Sequence, residues 1–113
     1  MDAFQIKTID DITIVQVLLV KARTRDTKLL WDKLENNLLF YRKKTIIDLS
    51  QCVYVDSTFF QFIIRIFRKT VENKNQLKLV SPQGEKIDNF WSMGIAKVIN
   101  CYVTLSEAID SYY

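Results

Sequence analysis

Residues 45–67 read TIIDLSQCVYVDSTFFQFIIRIF, and the fold turns on how this stretch divides. Thr45 to Leu49 is short, β-branched and apolar, the composition of a buried strand. After a brief connection, Asp56-Ser57-Thr58 opens an apolar run with polar residues at helical spacing, which predicts a helix to about Asn73. Asp56 or Ser57 suits a helix start, because a side-chain oxygen there accepts from backbone N–H groups that have no partner within the helix. A strand that leads into a long helix is the unit of a parallel sheet.

Working outward, the same alternation continues in both directions. Phe4, Ile6 and Thr8 alternate with Gln5 and Lys7, the period of a half-exposed strand. Asp10-Asp11 makes a turn, and Ile12 to Val20 predicts a second strand, paired as an antiparallel hairpin. Lys21 to Thr27 reads as a polar loop whose Asp26 or Thr27 caps a first helix. Leu30, Leu34 and Leu38, with Trp31, form the apolar stripe of that helix, which ends near Tyr41. Arg42, Lys43 and Lys44 suit its negative C-terminal end.

Beyond the central stretch, Leu77 to Val80 predicts a strand stopped by Ser81 and Pro82. A third helix follows over about Gly84 to Met93, then a strand over Val98 to Val103 and a closing helix over Ser106 to Tyr113. The fold class is α/β: one hairpin, then parallel strands with right-handed crossovers, and about four helices on a mixed sheet. The 113 residues fit one domain, residues 1–113.

Composition narrows the function. With 49% hydrophobic and 26% charged residues the chain is an ordinary globular one. The net charge of +3 is too small to argue for nucleic acid, which needs a concentrated basic face. The longest apolar stretch, Ile12 to Val20, is too short to cross a bilayer. No signal peptide is expected, and Cys52 and Cys101 read as reduced, buried thiols of a cytoplasmic protein. There is no histidine, hence neither the commonest general base nor the commonest neutral metal ligand. No nucleophile–base–orienter set is visible, so an enzyme is not expected, nor a metal or cofactor. A nucleotide-cradling loop is improbable with only two glycines, neither near the second helix.

The helix start at Asp56-Ser57-Thr58 carries the chemistry. Hydroxyls there sit among unpaired N–H groups and the positive end of the helix dipole, a place that accepts a phosphate readily. The plain alternative is an N-cap contributing about 1 kcal/mol.

The pattern Ile46-Ile47-Asp48-Leu49-Ser50, a short connection, then Val55-Asp56-Ser57-Thr58 resembles the central signature of the STAS family, named for sulfate transporters and anti-sigma factor antagonists. The resemblance continues in Leu77-Lys78-Leu79-Val80-Ser81-Pro82, in Met93-Gly94-Ile95 and in Leu105-Ser106-Glu107-Ala108-Ile109. In the antagonist branch of that family, the serine after the motif aspartate is phosphorylated by a partner kinase that is also the anti-sigma factor, and a phosphatase resets it. The resemblance therefore implies a protein-binding switch with Ser57 as phosphoacceptor, Thr58 as the secondary candidate, and Asp56 as the neighbour of the phosphosite. Asp48 matches the strand-end aspartate of the family, with a local structural role. A phosphate adds about −1.5 to −2 charges. At about 5 Å from one carboxylate and an effective dielectric of about 20, the repulsion is several kcal/mol, enough to abolish a micromolar complex.

Two features depart from the family pattern. Phe59, followed by Phe60, stands where a small residue, commonly glycine, is usual, and a bulky side chain beside Ser57 could shield its hydroxyl. The loop before the first helix, often acidic in the antagonist branch, here reads Lys21-Ala22-Arg23-Thr24-Arg25. Arg23 and Arg25 could hold a phosphoserine, attract an acidic partner, or simply be solvated.

The second helix is apolar over a wider arc than a surface helix needs. Phe59, Ile63 and Ile66 can face the sheet, while Phe60, Ile64 and Phe67 lie to one side. Those three either form a docking patch, which could also join two copies as a homodimer, or are covered by a neighbouring helix. A second function keeps the fold without the switch: a constitutive docking subunit of a transporter ATPase or multi-subunit sensor.

Overall fold

The computed structural model describes residues 3–83 and 94–113. The hairpin forms as expected from β1 (Phe4–Ile9) and β2 (Ile12–Val17), with Phe4 opposite Val17 and Ile9 opposite Ile12. Its turn places Asp10 at φ 55, a left-handed conformation that a short polar side chain tolerates. β2 then pairs in parallel with β4 (Lys44–Asp48), β4 with β6 (Gln76–Val80), and β6 with β7 (Cys101–Tyr102). The sheet order is β1-β2-β4-β6-β7, antiparallel at one edge and parallel elsewhere, the predicted mixed α/β architecture.

Both faces of the sheet are buried. Val15, Ile47 and Leu79 lie side by side across β2, β4 and β6, and pack under α1 (Thr27–Asn36) and α2 (Ser57–Glu72). One residue along each strand, Ile14, Ile46 and Val80 point the other way, towards α3 (Leu105–Asp110) and its buried Ala108. This explains why β2 and β4 read as nearly continuous apolar runs rather than alternating ones.

Several boundaries differ from the sequence reading. β2 ends at Val17, and Lys21–Ala22 is a two-residue strand, β3, paired in parallel with β5 (Tyr54–Val55) in a separate small sheet. The polar loop thus begins only at Arg23. α1 stops at Asn36 because Leu38 adopts φ 56, and the chain continues as a 3-10 turn over Leu39–Tyr41. A left-handed leucine costs about 1–2 kcal/mol. It is offset where Leu39 and Phe40 become buried and the Phe40 carbonyl accepts from the side-chain amides of Asn73 and Asn75. The expected strand over Val98 to Val103 shrinks to Cys101–Tyr102, since Ile95–Lys97 forms a 3-10 turn that buries Ile95 and Ile99. Three α-helices lie among the described residues; the helix expected over residues 84–93 falls outside them.

Candidate functional site

The site is built on the first turn of α2, beside the end of the parallel strands. Asp56 is the N-cap, with an extended backbone (φ −79, ψ 165), and its Oδ1 accepts from the Phe59 N–H at 2.8 Å. The other carboxylate oxygen, Oδ2, accepts from the Thr24 N–H at 3.0 Å and from the Thr24 hydroxyl at 3.4 Å. The Asp56 N–H in turn donates to the Ala22 carbonyl at 3.0 Å. One carboxylate therefore caps the helix and ties down the Arg23–Thr24–Arg25 loop. Asp26 does not cap α1 with its side chain; its Oδ2 accepts from the Arg23 N–H at 2.9 Å and closes the loop on itself.

With Asp56 occupied in this way, Ser57 is the first residue of α2 and is exposed, as is Thr58. Phe59 does not shield the hydroxyl. Its ring is fully buried, 6.2 Å from that of Phe62, because the third position of this helix points into the α1–α2 core. Phe60 is also turned inward, at 4% exposure, so neither phenylalanine belongs to an exposed patch. Ile64 and Phe67 are half-buried. The reason is the breadth of the apolar arc of α2: a helix packed on the sheet and on α1 covers more of itself than a helix lying on a surface. Between Ser57 and the 3-10 turn at Ile95 lies a shallow hollow of about 200 Å³, lined by Ser57, Phe60, Gln61, Ile64 and Ile95.

Asp48 closes its own strand end: it is buried, and its Oδ1 accepts from the Ser50 N–H at 2.9 Å. Cys52 is buried behind it, and burial, followed by the Asp48 and Asp26 charges, pushes its thiol up to about 12. Cys101, by contrast with expectation, is half-buried; burial raises its thiol to about 12 as well. Neither thiol is available as a thiolate near neutral pH. Among the described residues no three cysteine or acidic side chains gather to hold a metal ion, and no helix is long and apolar enough to cross a membrane.

The structure therefore brings Asp56, Ser57, Thr58 and the loop of Arg23 and Arg25 to one edge; Phe59 lies in the core, and Phe60, nearly buried, reaches that surface only as part of the lining of the hollow. Arg23 is half-buried and Arg25 exposed. Sequence reasoning missed Thr24, whose N–H and hydroxyl meet Asp56 across 32 positions, and Gln61 and Ile95, which line the hollow. Gln61 was legible from its place one turn after Ser57; no local signal marks the other two.

The site is thus an exposed helix-start hydroxyl beside a partly apolar hollow on an α/β domain. The STAS domain family model matches residues 3–108, and the chain belongs to that family. A protein of Thermotoga maritima described provisionally as an anti-sigma factor antagonist superposes with a TM-score of 0.79 at 24% identity, over 96% of this chain and 92% of its own. The Bacillus cell fate determinant SpoIIAA in its phosphorylated form gives 0.69 at 16% identity, over 98% and 100%. The murine anion transporter Slc26a9 gives 0.71 at 14% identity, over 91% of this chain but only 18% of the transporter. These likenesses establish the shared fold. No curated protein matches the chain.

Proposed function

We infer that this chain is a non-enzymatic, protein-binding switch that antagonises an anti-sigma factor or a similar regulatory serine kinase in the cytoplasm. In this reading the partner binds the unmodified surface at the start of α2, phosphorylates Ser57 and is thereby released, and a serine phosphatase restores the unmodified form. The observation that carries the reading is the accessibility of Ser57. It is exposed at the N-terminus of a 16-residue helix, while Asp56 spends both oxygens on structure and Phe59 lies in the core. A phosphate there would sit beside the backbone N–H groups of Ser57 and Thr58, at the positive end of the helix dipole, without rearrangement of the core. Thr58, also exposed, is the secondary acceptor.

The likeness of the fold to a part of the anion transporter Slc26a9 supports a second reading, a constitutive docking subunit of a larger assembly. Phosphopeptide mapping of the protein isolated from its own cells, at rest and under stress, separates the two. Phosphate on Ser57 that varies with condition is the expected result. A chain unmodified in every condition would overturn the switch and leave the docking subunit.

A further inference from the structure

Charge on this edge is predominantly positive: Lys21, Arg23, Arg25, Arg65 and Arg68 outnumber the carboxylates of Asp26 and Asp56. The solvent face of α2 begins at Ser57 and continues through Gln61, Arg65 and Arg68, residues that recur at three- and four-residue spacing and are all exposed. The one carboxylate in α2 is Glu72, in its last turn. The segment held beside the helix start adds Lys21, Arg23 and Arg25. The carboxylates that face it, Asp26 and Asp56, are engaged by the N–H groups of Arg23, Phe59 and Thr24. On the neighbouring α1, Asp32 pairs with Lys28 at 3.2 Å, and Glu35 lies 3.9 Å from Lys69. Arg65 stands 5.7 Å above the Trp31 ring, which holds its guanidinium along the helix surface. Beside this basic stripe the hollow over Phe60 and Ile64 offers an apolar floor.

We propose that the stripe from Ser57 to Arg68, with the Arg23–Arg25 loop, docks an acidic segment of a partner protein that places one apolar side chain in the hollow. The inference rests on the docking reading above and names the chemistry of the partner. Two arguments select an acidic occupant. Complementary charge steers association, and a second copy of this chain would bring the same basic stripe against itself. The direction of the switch requires the same sign: a phosphate on Ser57 adds about −1.5 to −2 charges, which repels an acidic segment but would attract a basic one. Release on phosphorylation thus follows from a basic surface only if the partner contact is acidic.

The test is selection of a random dodecapeptide library on the unmodified full chain, followed by amide chemical-shift mapping with the enriched peptides. The expected peptides carry net negative charge and at least one aliphatic or aromatic residue, and they shift Thr24, Ser57, Gln61 and Ile64. Arg65→Glu with Arg68→Glu should weaken them about tenfold, whereas Arg42→Glu with Lys43→Glu, just before β4 and outside the stripe, should leave Kd unchanged. Enrichment of neutral or basic peptides, shifts confined to another surface such as Leu38 and Tyr41, or no enrichment at all would overturn the proposal. Because the chain is unmodified throughout, the outcome is independent of whether Ser57 is ever phosphorylated.

Discussion

The two faces of the central sheet are closed by different chemistry. Under α1 and α2 the contact is almost wholly apolar and aromatic: Phe59 and Ile63 are fully buried, and the Trp31 ring lies tilted at 5.0 Å from Phe40 and edge-on at 5.8 Å from Phe62. The opposite face has a smaller set, Ile12, Ile14, Ile46 and Val80, covered by a helix of six residues. That cover is fastened by polar groups. The Tyr112 hydroxyl donates to the Thr45 carbonyl at 2.8 Å, and Lys78 donates to the Ser111 hydroxyl at 2.8 Å while its ammonium lies 4.0 Å from the Tyr112 ring. The Tyr113 hydroxyl reaches Asp10 in the hairpin turn. The apolar face fixes the direction of α2, and so of Ser57; the other face, equally buried, adds polar fastenings to a short helix.

This contrast is open to test. The largest effect is expected on the apolar face, where Phe59→Ala should cost about 3–5 kcal/mol in urea unfolding. A loss within experimental error would mean that the ring is not core. At the seam between loop and helix, Asp56→Ala should cost about 2 kcal/mol, the sum of a helix cap and the Thr24 contacts. It should also speed tryptic cleavage after Arg23 and Arg25; unchanged cleavage would show that the loop is held by other means.

On the other face, Tyr112→Phe keeps the ring over Lys78 and removes one hydrogen bond, so about 1 kcal/mol is expected. A change as large as that of Phe59→Ala would erase the distinction between the faces. The smallest effect at neutral pH comes from the thiols. Cys52 and Cys101 hold their protons more tightly folded than unfolded, with values raised from 9.0 to about 12. Their contribution is therefore complete below about pH 9 and is lost as pH rises towards about 12, because the unfolded chain ionises first. Urea midpoints should fall over that interval, and less steeply in Cys52→Ala; a profile unaltered by that substitution would remove the thiol as the cause.

What the sequence made legible is what local pattern encodes. The hairpin, the strand before α2 and the start of that helix at Asp56 all follow from periodicity and capping, and each is present. The failures share a cause in distant partners. Lys21–Ala22 is a strand only because Tyr54–Val55 lies alongside it. Leu38 leaves the helical stripe because burying Leu39 and Phe40 outweighs its own exposure of 62%. Phe60 read equally as part of a docking patch or as covered by a neighbouring helix, because its burial depends on how α2 sits on the rest of the domain. At the site, the cap formed by Asp56 was readable, whereas its bond to Thr24 depends on where a loop 32 positions earlier returns.

That bond has a mechanical consequence. A carboxylate with one oxygen on the helix and the other on the loop is a shared joint that couples the first turn of α2 to the arginine-bearing loop. Fraying of the helix end lets the loop go, and a pull on the loop strains the cap. The order of that turn and the order of the loop are therefore two readings of one carboxylate.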